Sequence, residues 1–210
     1  MTILLAVGTV VLGGASAWAR IRGATAAAGI LKMVAASGYL AVAWMSGAPT
    51  TPYGSLVFTA LVLSWVGDLL LIPGGRGPLF LGGLVSFLTA HVAYGVAFMV
   101  RGISAPWALA VAVLLAAALW MILSRLLRHD TSRRMRGPVV AYGVVIGAMV
   151  AGAVGTAGHS PSLLIPLGAV LFLASDLFVA RQRFVEAEAL NTAVGLPLYF
   201  LAQVLLALSV

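Results

Sequence analysis

Apolar runs of roughly 17 to 25 residues, separated by short groups of Gly, Pro and Arg, follow one another along the whole chain, and that length matches a bilayer's hydrocarbon core. Eight runs are read, at about 2–19, 24–46, 54–72, 78–100, 104–124, 137–157, 162–180 and 190–209. The pattern predicts an all-α polytopic membrane protein, a single integral membrane domain over 1–210 with eight transmembrane helices. In the first run Ala15-Ser16-Ala17 resembles a signal-peptide cleavage site, yet no basic residue precedes the run and Arg20 and Arg22 follow it, so it reads as a retained span.

Composition agrees with the pattern: 62% of the 210 residues are hydrophobic and 8% are charged, against about 25% charged in soluble proteins. Absence of cysteine removes disulfides, thiolate ligands and thiol nucleophiles together. The net charge of +7 does not point to nucleic acid, because the arginines stand singly or in short connections, as topology signals do. The odd-numbered connections hold Arg20, Arg22, Arg76, Arg125, Arg128, Arg133, Arg134, Arg136, Arg181 and Arg183, while the even ones hold only Arg101. Basic connections stay in the cytoplasm, so both termini are expected outside. The stretch from Arg125 to Arg136 is expected to anchor on anionic headgroups, and His159, Asp130, Glu186 and Glu188 read as solvated loop residues. Trp18, Trp44, Tyr53 and Trp107 lie near span ends, where an interfacial aromatic belt forms. The heavy use of Ala, Gly and Arg fits a GC-rich bacterial genome, and hence the inner cell membrane.

A few polar residues interrupt the apolar runs, and they change the picture. Ser64-Trp65-Val66-Gly67-Asp68-Leu69-Leu70-Leu71 puts a carboxylate inside the third span, and Ala174-Ser175-Asp176-Leu177-Phe178-Val179 repeats the arrangement in the seventh, 108 positions later. An intramembrane charge costs at least ~2.5 kcal/mol and marks a candidate functional site. At about 1.5 Å of rise per residue, both Asp residues and Lys32 of the second span fall within roughly one turn in depth, near the cytoplasmic end. His91 and Tyr94, and Tyr199 and Gln203, share helix faces nearer the midplane. Asp68 to His91 and Asp176 to Tyr199 are both 23 residues. Four spans per half give both halves one orientation, which predicts two four-helix halves about a parallel pseudo-twofold axis, with the two Asp residues facing each other across it.

Two carboxyls held close in a low-dielectric site do not both ionise cheaply; one keeps its proton while the other is an anion, giving an acid and a base from one residue type. The bland alternative is that each Asp only fixes packing, through Ser64 or Ser175. Lys32 either snorkels to the interface, holds one Asp ionised, or receives a phosphate. His91, Tyr94, Tyr199 and Gln203 suit the floor of a polar pocket. A metal centre of Asp68, Asp176 and His91 lacks His-rich spacing, so neither metal nor other cofactor is expected. A proton-coupled or small-solute transporter is the alternative class.

The ordered set of Lys32, Gly67-Asp68-Leu69-Leu70, Phe87 to Tyr94 with His91, Phe172-Leu173-Ala174-Ser175-Asp176-Leu177 and Tyr199 to Gln203 resembles the YhhN-type lysoplasmalogenases, over almost the whole chain. One departure is that the family pattern places Pro after the span-two Lys, whereas Met33 follows Lys32. The resemblance implies a hydrolase that cleaves the vinyl-ether bond of a lysoplasmalogen to a fatty aldehyde and glycerophosphoethanolamine or glycerophosphocholine. Its substrate and surroundings would be membrane lipids, reached from the cytoplasmic leaflet. Asp68 and Asp176 would serve as the acid/base pair, with Asp176 favoured as acid for its apolar neighbours. Lys32, His91, Tyr94, Tyr199, Gln203, Ser64 and Ser175 would support them.

Overall fold

The computed structural model describes residues 1–75, 77–126, 133–159 and 162–210. Among them are eight α-helices: α1 (Thr2–Ile21), α2 (Thr25–Met45), α3 (Pro52–Leu71), α4 (Pro78–Arg101), α5 (Ala105–Leu126), α6 (Arg133–Thr156), α7 (Leu164–Phe184) and α8 (Ala189–Leu208). Seven are long and apolar enough to cross a membrane, and α5 contributes a shorter apolar stretch, Ala105–Met121. The protein is therefore an all-α polytopic membrane protein. Arg76, and Arg125 to Arg136 with Asp130, lie outside the residues whose side chains are described.

Local chemistry explains where the helices start and stop. Thr51 accepts a hydrogen bond from the Gly54 N–H at 2.9 Å, and Pro52 takes the first helical position of α3, where its missing N–H costs nothing. Pro78 opens α4 in the same way. Gly102 ends α4 at φ 102°, a conformation that side chains with a Cβ rarely adopt.

Sequential helices pack as hairpins, α1 with α2, α3 with α4, α5 with α6 and α7 with α8. The hairpins are joined by a pattern that nearly repeats: α2 meets α3 and α8, and α6 meets α7 and α4. This is the relation a four-helix repeat requires, but it is incomplete, because α1 packs along α8 with no comparable packing of α5 on α4 among the described residues. Small residues permit the close approaches: a Cβ added at Gly67 of α3 would sit 2.6 Å from the Phe87 ring of α4. The centre is aromatic, with Tyr39, Tyr94, Phe98, Phe172 and Phe200 fully buried.

The outer surface is apolar, as a lipid-facing surface must be, with Ile3, Leu4 and Val7 of α1 and Leu109, Val113, Leu114 and Trp120 of α5 exposed. Trp18, Trp44 and Trp107 are exposed near helix ends. Tyr53 is different from the expected belt residue: it is buried, its hydroxyl lies 2.6 Å from that of Ser209, and the Arg101 guanidinium covers its ring.

Candidate active site

A cavity of about 420 Å³ opens among the helices towards the α1–α2, α3–α4 and α7–α8 connections, and Lys32, Asp68, Tyr142, Ser175, Asp176 and Tyr199 all line it. The remaining wall is largely apolar, including Leu84, Phe87, Leu173, Phe178 and Leu196. Asp68 and Asp176 therefore share one cavity, and their surroundings differ.

Asp68 is fully buried in the last two turns of α3. Its Oδ1 lies 2.9 Å from Lys32 Nζ of α2. Its Oδ2 accepts hydrogen bonds from Tyr199 of α8 at 2.5 Å and from Tyr39 of α2 at 3.1 Å. Lys32 also donates to the Asp68 carbonyl at 3.4 Å. The depth counting that brought Lys32 and Asp68 to one level thus corresponds to an ion pair. Lys32 and Tyr39 are seven residues apart, two helical turns, which puts both on the α2 face towards Asp68. With a cation on one oxygen and two hydroxyls on the other, this site is built for a carboxylate anion.

Asp176 on α7 has no such cation among the described residues. Its Oδ2 accepts a hydrogen bond from Tyr142 of α6 at 2.6 Å, and His91 Nε2 of α4 lies 3.7 Å from that oxygen, beyond a hydrogen bond. His91 is buried between the rings of Tyr142 and Phe172, and among the described residues no side chain hydrogen-bonds its ring nitrogens.

Of the four residues expected to floor the pocket, only Tyr199 reaches it. Tyr94 and Gln203 stand behind it in a buried relay: the Tyr94 hydroxyl donates to Gln203 Oε1 at 2.7 Å, and Gln203 Nε2 donates to the Tyr199 hydroxyl at 3.0 Å. Gln203 thereby orients Tyr199, leaving its proton for Asp68. Ser64, one turn before Asp68, is buried and its hydroxyl has no hydrogen-bond partner among the described residues, Asp68 included, so the packing reading in which Ser64 satisfies Asp68 does not describe the site. Ser175 is buried at the cavity wall.

The shared 23-residue spacing takes a crossed form. His91 and Tyr199 occupy corresponding places, and each approaches the Asp of the other half, His91 that on α7 and Tyr199 that on α3. Tyr142 carried no signal in the sequence, since a lone Tyr in an apolar span is ordinary. Glu186 and Glu188 are more than solvated loop residues: they lie 3.7 and 2.9 Å from Arg181.

The YhhN family model matches residues 3–210, nearly the whole chain. The chain belongs to the YhhN family. Among curated relatives of this YhhN protein, lysoplasmalogenase TMEM86A of Bos taurus is 32% identical over 170 residues, covering 76% of this chain and 67% of the relative. Lysoplasmalogenase TMEM86B of Homo sapiens is 33% identical over 162 residues, covering 77% of this chain and 66% of the relative. The chain spans about two-thirds of the length of these relatives. No solved structure matches it at a significant level.

Proposed function

We propose that this YhhN protein is a lysoplasmalogenase, hydrolysing the vinyl-ether bond of a single-chain glycerophospholipid to a fatty aldehyde and a glycerophosphodiester. The observation that carries the reading is the unequal pair of carboxyls on one apolar-walled cavity, Asp68 against Lys32 at 2.9 Å and Asp176 with no Lys or Arg partner among the described residues. The relatives named as lysoplasmalogenases support it at the level of the family.

Enol ethers are cleaved by acid, and the reaction needs a proton donor and a standing anion. Asp176 is the donor in this reading. Its proton passes to the β-carbon of the vinyl ether, the π pair forms the new C–H bond, and the α-carbon becomes an oxocarbenium ion. Asp68, held anionic by Lys32, stabilises that cation and takes a proton from the water that adds to it. The resulting hemiacetal collapses: its hydroxyl proton returns to Asp176, and the glycerol oxygen leaves with the proton held by Asp68. Both carboxyls are restored, and the net change is addition of one water. Tyr142 orients Asp176, while Tyr39 and Tyr199 keep Asp68 in place.

The whole chain acts as one membrane domain, with both termini outside and the cavity mouth at the cytoplasmic leaflet, where the excess of basic residues lies. A single-chain lipid then reaches the site from the inner leaflet. The test is aldehyde release from lysoplasmalogen by detergent-purified protein with no ion gradient. Asp176→Asn should reduce kcat by about 10² to 10⁴ while the protein stays folded. Aldehyde release that needs a sealed vesicle, or an Asp176→Asn variant as active as wild type, would overturn the proposal.

A further inference from the structure

We propose that the α2–α3 flank is a lateral portal for the hydrocarbon chain of the lipid, closed by the Ile72 side chain over Gly29; this deepens the lysoplasmalogenase reading and rests on it. An open apolar groove runs between α2 and the end of α3, lined by Ala26, Ile30, Met33 and Val34. Ile30 and Val34 are exposed there, on a helix long and apolar enough to cross a membrane. Gly29 and Ile72 line this groove, and both also line the cavity that holds the two carboxyls. Groove and cavity therefore lie back to back.

The partition between them is one side chain thick. Gly29 contributes none, and the three heavy atoms nearest to a Cβ built there all belong to the Ile72 side chain, at 3.1, 3.8 and 4.0 Å. Ile72 is the C-cap residue of α3, after which the chain turns through Pro73 and the left-handed Gly74 and Gly75. The closing side chain thus stands at a helix end, where local opening costs least. Gly29 is one turn before Lys32 and Ile72 one turn after Asp68, so the partition adjoins the ion pair. Further along the groove, Trp65 Nε1 donates to the Ser37 hydroxyl at 3.2 Å and ties α2 to α3.

A single-chain lipid has a tail that is costly to draw through water. Passage between α2 and α3 keeps that tail against apolar groups from the bilayer to the site, while the headgroup stays at the cavity mouth. Rotation of the Ile72 side chain away from Gly29 joins the two spaces.

The chain has no cysteine, so a disulfide can be placed across the partition without background. The Ile72 contacts put positions 29 and 72 within disulfide reach, which needs Cβ atoms about 3.5–4.5 Å apart. In Gly29→Cys/Ile72→Cys, oxidation should lower kcat/KM about tenfold or more for a hexadecenyl lysoplasmalogen and leave a butenyl homologue within about twofold. Reductant should restore the rate, and neither single variant should respond to oxidant. Ile72→Trp, which fills the same opening with an indole, should show the same selective loss whether or not the double variant folds. Equal losses on both substrates, or no loss on either, overturn the portal.

Native mass spectrometry with an acyl lysophosphatidylcholine, which has no vinyl ether, tests the portal without turnover. The double variant loaded while reduced, then oxidised and washed in lipid-free detergent, should keep the lysolipid; protein oxidised before loading should not take it up. That result supports the portal even if no aldehyde is ever released, an outcome that would sink only the enzymatic reading. Equal occupancy for the two orders, including none in either, overturns the portal.

Discussion

Replacing Lys32 by Met tests the site at its most consequential contact, because it deletes the cation 2.9 Å from Asp68 and keeps most of the side-chain volume. Breaking a buried ion pair typically costs about 3–5 kcal/mol. The loss has a ceiling, since Asp68 is free to take up a proton: holding a proton at pH 7 on a carboxyl of ordinary pKa ~3.9 costs about 4 kcal/mol. Two features keep the expected loss below that ceiling. The Lys32 side chain is 16% exposed, so the pair is not wholly dry, and Tyr39 and Tyr199 still donate to Asp68. We expect about 2–3 kcal/mol, a fall of roughly 5–10 °C in the unfolding temperature of detergent-solubilised protein for a chain of this size. Aldehyde release should fall by about 10²-fold or more, because a protonated Asp68 neither stabilises a cation nor accepts a proton from water. The double variant Lys32→Met/Asp68→Asn should regain most of the stability and none of the activity. Lys32→Met with wild-type stability and turnover within about threefold of wild type would refute the argument and leave Lys32 as a snorkelling residue.

Three further outcomes are expected. Tyr142→Phe removes the hydrogen bond that Asp176 receives from α6, a neutral contact worth about 0.5–1.5 kcal/mol, so kcat should drop by up to about tenfold; a loss as large as that of Asp176→Asn would mean that Tyr142 itself carries the proton. Gly67→Ala places a Cβ 2.6 Å from the Phe87 ring at the cavity wall, and such overpacking costs about 1–3 kcal/mol, so thermal unfolding that matches wild type would show that α3 and α4 are not so closely apposed. Gln203→Leu strands the buried Tyr94 hydroxyl and frees Tyr199 to rotate; stability should fall by about 1–3 kcal/mol with a loss in kcat, whereas a change confined to KM would mean that Gln203 touches substrate.

Much of this architecture is written in the chain at the level of helices, because a bilayer imposes one length and one polarity on every span. Arg20, Gly23, Pro52, Pro78 and Gly102 punctuate the apolar runs where the helices begin and end. The common depth of Lys32 and the two Asp residues was legible too, since counting rise from the basic ends compares depths on different helices; which Asp the lysine meets was not. What depth counting cannot give is azimuth. It put His91, Tyr94, Tyr199 and Gln203 nearer the midplane but did not say that of these four Tyr199 alone turns to the cavity. Tyr39 was within reach of sequence argument, lying two turns from Lys32 on the same face. Tyr142 was not, because no polar neighbour at helical spacing accompanies it in α6. Arg20 and Arg183 carried a strong topological meaning that concealed their position on the cavity.

The difference between the two carboxyls arises from the fold in a way that neither Asp motif encodes. The α3–α4 hairpin carries Asp68 and His91, and the α7–α8 hairpin carries Asp176 and Tyr199, so each hairpin brings one acid together with the aromatic neighbour of the other acid. Neither acid is complete within its own half; His91 lies near Asp176 and Tyr199 bonds Asp68 only once α2 meets α8 and α4 meets α6. A strictly symmetric pair would have identical surroundings and no reason to divide roles. The symmetry is broken by the helices that flank the two acids: α2 offers Asp68 an ammonium and a hydroxyl, and α6 offers Asp176 a hydroxyl. One lysine, placed on one of two corresponding helices, is the asymmetry on which the proposed reaction draws, with Asp68 as its anion and Asp176 as its proton donor. The repeated Asp motif supplies two equivalent groups, and in the proposed reaction Lys32 is what makes them an acid and a base.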